Sequence, residues 1–302
     1  MVDLVQEKMR FFRESQLLPP SKGFDYENWL DNFQDSEDKK IAAHILNFFI
    51  YFPDDIINQM LRTAVGRCGY YFSKHDPYWT HDSFKDNCWY SFVQGENPDD
   101  ATDSGFIFTR KLREQLNIQD ERILKYEGLF KKLEDNATVP QNVILVDDFV
   151  GTGAQTDDAW NKHRYGKYSR TLSEHERLFH HRIVYAPLVV NELGLSRIER
   201  NCPNLHLEYI HKLGIEYNLL DVDGLCWKGD KAMHSKFLDL LSRVATQEGI
   251  PNKNGFHVND ILGFGKQCLA LAFSHGIPDA CSAFFYWETA TWKPLKKRPY
   301  HR

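Results

Sequence analysis

One fourteen-residue stretch constrains this chain more than any other: Val143-Ile-Leu-Val-Asp-Asp-Phe-Val-Gly-Thr-Gly-Ala-Gln-Thr156. Val143 to Val146 are apolar and mostly β-branched, which predicts a short buried strand. The strand is expected to end at two adjacent carboxylates, Asp147 and Asp148. Gly151 and Gly153 then flank Thr152, and Ala154 to His163 can form a helix. Each part has a chemical use. Glycine lets the backbone approach a ligand closely. The unpaired N–H groups of a helix start can hold a phosphate. A carboxylate pair just upstream can accept hydrogen bonds from two neighbouring hydroxyls. A ribose 5-phosphate offers both groups. An ordinary βα turn with solvated acids would have the same outline. A dinucleotide-binding turn fits less well, because the third glycine is missing and two acids stand between strand and turn. The Gly-Lys-Ser/Thr of a P-loop is absent.

The rest of the chain predicts alternating strands and helices. Its 302 residues suffice for one large domain or two small ones. Hydrophobic residues make up 42% and aromatic residues 14%, so a large core is expected. A net charge of −5 gives no general attraction to nucleic acid. No apolar run reaches the length of about 18 residues that predicts a membrane-spanning helix, and no membrane partner is expected. The first residues lack the blocks of a signal peptide. Six cysteines without a Cys-x-x-Cys pair fit reduced thiols in a cytoplasmic protein.

Residues 1–78 read as helical. Ile41, Ile45, Phe48, Phe49 and Phe52 predict one helix face ending at Pro53, with a second helix from Asp54. Cys88 to Val93 reads as a strand, followed by an acidic loop, Ser104-Gly105 and a helix through Phe108, Leu112 and Leu116. Asp120 to Leu133 reads as another helix. Trp160 to Arg177 reads as a helix end and a surface excursion, with His175, His180 and His181 at the surface because their spacing is not that of a metal site. A strand at Arg182 to Val190, a helix at Asn191 to Arg200 and a strand at Leu205 to Ile210 complete an α/β pattern with a parallel sheet and flanking helices. Lys231 to Val244 reads as an amphipathic helix. Leu269 to Phe273 and Ala283 to Trp287 around Gly276-Ile-Pro278 predict a hairpin, and the basic tail from Lys293 is expected in solvent.

The Val-Ile-Leu-Val-Asp-Asp-Phe-Val-Gly-Thr-Gly run resembles the phosphoribosyl-pyrophosphate signature of type I phosphoribosyltransferases. The resemblance implies three regions: an N-terminal helical region (1–78), a phosphoribosyltransferase-like core (79–215) and a C-terminal hood (216–302). It implies transfer at ribose C1′, with phosphoribosyl-pyrophosphate or a related nucleotide as partner and Mg²⁺ as cofactor. Asp147 and Asp148 would hold the ribose hydroxyls and, through water, the metal. Gly151, Thr152, Gly153, Ala154, Gln155 and Thr156 would hold the 5′-phosphate. Asp103, Ser104 and Gly105 stand where the family's pyrophosphate loop stands, but a Gly-Gly or basic residue is replaced by Asp-Ser-Gly; Arg110 can supply the cation. Some members carry an Asp general base where this chain has Gly151, which argues against a purine acceptor of that kind. With its N-terminal helical region, Gly263-Phe-Gly265 and the ending Trp292-Lys-Pro-Leu-Lys-Lys-Arg298, the layout also resembles a divergent bacterial group. Members of that group lie beside reverse transcriptases and anti-phage defence genes, which implies a regulatory protein or nucleoprotein partner. Two other readings stay open: a sensor that binds without turnover, and an effector that cleaves nucleotides or ribosylates a macromolecule under a partner's control.

Overall fold

The computed structural model describes residues 2–20, 23–93, 104–165, 167 and 169–298. The chain runs α1 (Val2–Glu14), α2 (Tyr26–Leu30), α3 (Ser36–Leu46), β1 (Ile50–Phe52), α4 (Asp54–Ser73), α5 (Ser83–Asp86), β2 (Cys88–Phe92), α6 (Ser104–Leu116), α7 (Tyr126–Asp135) and β3 (Asn142–Val150). It continues through α8 (Ala154–Asn161), α9 (Leu172–Phe179), β4 (Arg182–Asn191), α10 (Glu192–Asn201), β5 (His206–Leu207), β6 (His211–Leu213), α11 (Lys231–Glu248) and β7 (Leu271–Phe273). This is an α/β fold with parallel sheets flanked by helices. It forms two compact units, Met1–Ile57 with Leu213–Arg302, and Asn58–Lys212. The first and last segments thus share one unit, where the sequence suggested separate N-terminal and C-terminal regions. Among the described residues no helix is long and apolar enough to cross a membrane.

The Asn58–Lys212 unit carries the larger sheet, in the order β2-β3-β4-β5 with β6 on β4. β3 is an inner strand, parallel to both β2 and β4. Its register sets Val146 opposite Phe92 on one side and Ala186 on the other. Side chains alternate across the sheet. Val143 and Leu145 join a core with Tyr126, Phe130, Trp160 and Ile183. Ile144 and Val146 are equally buried, with α6 packed on β2 and β3. A strand apolar on both faces is what a sheet with two helical layers requires.

Several local expectations change here. β3 does not end at the acids but continues through them to Val150, because Phe149 and Val150 keep pairing with Val189 and Val190. The expected helix from Asp120 breaks into a short 3-10 turn and α7, since Ile123 bridges to Tyr90 and the Leu124 N–H donates to the Tyr90 carbonyl at 2.8 Å. The surface reading of the histidines fails for two of the three. Thr171 and Glu174 form a capping box that starts α9. His175 and His181 are then buried at 0% and 1% exposure among Phe130 and Phe179. His181 takes the Gln141 N–H at 3.0 Å and faces the Leu133 carbonyl at 3.1 Å, which ties the start of β3 to the end of α7.

Burial, then the neighbouring His181 and Arg170, push His175 down from 6.5 to about 4, so it is neutral in the fold. The unfolded chain would take up a proton near 6.5 where the folded one does not. Stability is therefore present above pH 6.5 and is lost as pH falls toward 4, at most about 1.4 kcal/mol per pH unit for one proton. We expect His175→Leu to flatten the dependence of the unfolding midpoint on pH between 6.5 and 5. A slope equal to the wild type's would mean that His175 titrates normally in the fold.

In the other unit, α3 ends at Leu46, and Phe48, Phe49 and Phe52 lie outside it. Ile50-Tyr51-Phe52 forms β1, paired in parallel with β7. β-branched and aromatic residues before a proline suit a strand as well as a helix face. The expected hairpin is absent: β7 takes β1 as its partner, and Ala283–Phe285 is a 3-10 turn capped by Ser282. The tail is not simply solvated. Lys296 is buried and donates to the Ser274 carbonyl at 2.9 Å, while Trp292 packs on Phe33 and Phe284.

Candidate functional site

In a parallel sheet, ligands bind outside the carboxyl ends of the strands. The acids and glycines of the signature lie at that end of β3. The chain beyond β2, which leads to Ser104, leaves the same edge of the sheet. Gln155 joins the two ends: its Nε2 donates to the Val93 carbonyl at 3.0 Å. Asp103 lies outside the described residues. Gly105 sits against the Phe92 side chain, where a Cβ would collide, so it serves close packing of α6 on β2. Arg110 does not point a free cation at this edge. Its Nε pairs with Glu114 at 2.7 Å on the solvent face of α6.

The two acids differ. Asp147 is 7% exposed, and both of its oxygens are engaged. Oδ2 accepts the Tyr185 hydroxyl at 2.8 Å, and Oδ1 accepts the Asp148 N–H at 2.9 Å. Burial, then the Asp147 charge beside it, raises Tyr185 well above its ordinary value, so the phenol keeps its proton and donates. Thr156 is 3% exposed, and its side chain lies beside the Tyr185 phenol. Thr156 therefore faces this buried network. Asp148, one residue on, is only half-buried. Alternation along β3 turns it to the opposite face from Asp147.

The turn is shaped by a close approach of two backbones. Gly153 has φ +71°, and a Cβ there would lie 2.7 Å from the Gly194 carbonyl oxygen. At Gly194 a Cβ would lie 2.5 Å from the Gly151 carbonyl oxygen and 3.0 Å from the Gly153 N. The glycine at 153 thus clears space for the start of α10. Gly153 caps α8 with no side-chain hydrogen bond of its own, so among the described residues the first turn of α8 is capped only by a long contact from its neighbour. Thr152 is half-buried, and its hydroxyl lies 3.4 Å from the Ala154 N–H. Gly151, Thr152 and Ala154 are partly accessible, so the turn offers backbone donors to solvent.

Asp157, in the first turn of α8, ties that helix to α10. It accepts from Arg197 Nε at 3.1 Å, Asn201 Nδ2 at 2.7 Å and Asn161 Nδ2 at 3.1 Å. Burial raises its pKa, but the hydrogen bonds from Asn201, Asn161 and Arg197 outweigh burial and leave it lowered. That stabilisation is full above about pH 4 and is lost as pH falls through the lowered value. Asp157→Ala should cost about 1.5–3 kcal/mol at pH 7, and the cost should fall as the pH is taken down through the lowered value, measured by urea unfolding across the acid range. A cost that grows as the pH falls would contradict a charged Asp157.

Tyr185, Asp157 and Gly194 were not singled out from the sequence. Tyr185 carries one visible signal, a lone hydroxyl in the run Arg182-Ile-Val-Tyr-Ala-Pro187. Gly194 carries none, since its partner is the backbone of a distant turn.

Among the described residues no group of three or more His, Cys, Asp or Glu side chains can hold a metal directly. A half-buried Asp148 beside a solvent-facing phosphate turn does fit Mg²⁺, which keeps its waters and uses one or two carboxylates plus substrate oxygens. All six cysteines are buried and free, and none is at this edge as a nucleophile. The arrangement can hold a phosphorylated diol: donors at the turn, a carboxylate beside it, and a buried hydroxyl and acid that fix the strand.

No curated protein matches the chain. The model of the PRTase-CE family matches residues 26–298, which is nearly all of it. The chain belongs to the PRTase-CE family and is a divergent phosphoribosyltransferase-like protein.

Proposed function

We propose that the carboxyl edge of β3 binds the ribose 5-phosphate of phosphoribosyl-pyrophosphate and that the chain transfers the phosphoribosyl group at C1′. The observation that carries this reading is the pairing of Asp148 with the weakly capped start of α8 at the end of an inner parallel strand. Asp148 holds the ribose diol. Asp147, with both oxygens engaged, positions the strand through Tyr185. The backbone from Gly151 to Gln155 holds the 5′-phosphate at the positive end of α8. In the transfer, the C1′–O bond to pyrophosphate breaks with both electrons leaving on the pyrophosphate oxygen. A bond from the acceptor to C1′ forms, and the acceptor loses its proton. Asp148 would hold Mg²⁺ through water, and the ion would supply positive charge against the leaving pyrophosphate. The fixed donors of the turn hold the sugar while charge develops at C1′.

A second reading has its own support. Arg110, the cation available near the pyrophosphate loop, is ion-paired with Glu114. A site that grips the sugar phosphate without helping pyrophosphate leave would act as a sensor. Pyrophosphate release from phosphoribosyl-pyrophosphate and Mg²⁺, with candidate bases and nucleotides as acceptors, separates the two. Turnover supports the transferase; tight binding with no turnover under any acceptor supports the sensor; no binding contradicts both. A bacterial defence role and a reverse transcriptase partner are supported by the resemblance of the layout, and a cytoplasmic setting by the six cysteines without a Cys-x-x-Cys pair. An effector that cleaves nucleotides or ribosylates a macromolecule would use the same ribose grip.

A further inference from the structure

A second pocket lies in the Asn58–Lys212 unit, at the other edge of the sheet. α6 starts at the carboxyl edge of β2 and spans about 20 Å at 1.5 Å per residue, so its last turn reaches the amino edge. There it meets α4 and α5 around a pocket of about 270 Å³. Val65, Phe84 and Ile118 give it an apolar floor, and Arg62, Lys85 and His81 line its rim. No carboxylate lines it among the described residues. The nearest acid to Lys85 is Asp82, at 3.9 Å, the length of a weak exposed pair. Arg62 is aimed by Gln115: Nη2 donates to Oε1 at 2.9 Å and Nε faces the backbone carbonyl at 3.4 Å. Its Nη1 has no partner among the described residues. Gly66 leaves the wall open, since a Cβ there would meet nothing within 4 Å.

An apolar floor with a few fixed polar groups is the usual composition of a small-molecule site. Two of the polar groups here, Arg62 and Lys85, are cationic side chains, and none of the lining residues is an acid. We propose that this pocket binds a nucleotide-sized organic anion, with its flat ring on Phe84 and Val65 and its phosphate at Arg62 and Lys85. A guanidinium with two free-facing donors suits phosphate, and an ammonium beside it adds a point charge. The ring contributes apolar burial that a bare phosphate cannot. This site shares no residue with the edge at β3 and does not depend on the function proposed for it.

The test is hydrogen exchange with adenosine 5′-monophosphate, adenosine and inorganic phosphate as separate probes, since the monophosphate can also reach the turn after β3. The proposal expects the monophosphate to protect residues 62–66, 81–85 and 115–118. Adenosine or phosphate at the same concentration should give at most a tenth of that occupancy. Arg62→Gln with Lys85→Gln should weaken the protection tenfold or more, whereas Asp148→Asn should leave it intact. Should Arg62→Gln loosen α6, Lys85→Gln alone, at an exposed position, should still weaken it several-fold. Protection confined to 147–156, no protection anywhere, equal occupancy by bare phosphate, or wild-type binding in the double variant would each overturn the proposal.

Discussion

Asp148→Asn should bind phosphoribosyl-pyrophosphate roughly ten- to hundred-fold more weakly than the wild type, with stability changed by less than about 0.5 kcal/mol. The reason is position. Asp148 is half-buried at the carboxyl edge, and a charge-assisted hydrogen bond to a ligand contributes on the order of 1.5–3 kcal/mol. Asp147→Asn should show the reverse balance. Its carboxylate is buried and accepts from Tyr185 and from the backbone of Asp148. An amide there keeps one acceptor oxygen but sets its NH2 group against the other of the two donors, which should cost about 1–3 kcal/mol of stability. Tyr185→Phe should reproduce that cost, and the double variant should cost less than the sum of the two. Calorimetry and urea unfolding on the four proteins check this. Equal effects of the two Asp→Asn changes on affinity and on stability would contradict the assignment of one acid to the ligand and one to the fold.

Gly153→Val and Gly194→Ala should be the most damaging small changes in the Asn58–Lys212 unit. Valine at Gly153 meets a positive φ, which costs a β-branched residue about 1–2 kcal/mol, and then the backbone of Gly194 at 2.7 Å. Alanine at Gly194 meets the Gly151 carbonyl at 2.5 Å, and overpacking of this kind costs about 1–3 kcal/mol. Neither neighbour is a flexible side-chain end that can move aside. Both variants should therefore lose stability and phosphate-ester affinity together, because the phosphate turn shifts with the strain. Gly128→Ala is the control. It sits within α7 with nothing closer than 4.0 Å and should stabilise by about 0.5–1 kcal/mol. A Gly194→Ala protein that melts and binds like wild type would show that the two turns are not in contact.

The core of this fold was legible because its signals are local. Four apolar residues, two acids and a glycine turn predict strand, edge and helix start, and β3 and α8 follow that order. The amphipathic spacing of Phe108 and Leu112 predicted α6 for the same reason. What the sequence concealed was set by partners far away in the chain. Ile50-Tyr51-Phe52 forms β1 only because Leu271–Phe273 lies beside it. Ala283–Phe285 is as apolar as a strand, and burial alone does not tell a strand from a buried turn. His175 and His181 were placed at the surface because their spacing is not that of a metal site, although the Thr171–Glu174 capping box was readable as the start of a helix. Gly153 was readable as a glycine needed for close approach. That Gly194 is what approaches it depends on where α10 returns.

The central claim is that Asp148 and the turn after it grip a ribose 5-phosphate. Titration of the wild type and Asp148→Asn with ribose 5-phosphate and 2-deoxyribose 5-phosphate, in the presence of Mg²⁺, tests it most directly. The wild type should prefer ribose 5-phosphate roughly tenfold or more, the contribution of one charge-assisted hydrogen bond. Asp148→Asn should bind both sugars alike, at the level of the deoxy sugar. Equal affinity of the wild type for the two sugars, or a preference that survives in Asp148→Asn, would contradict the account.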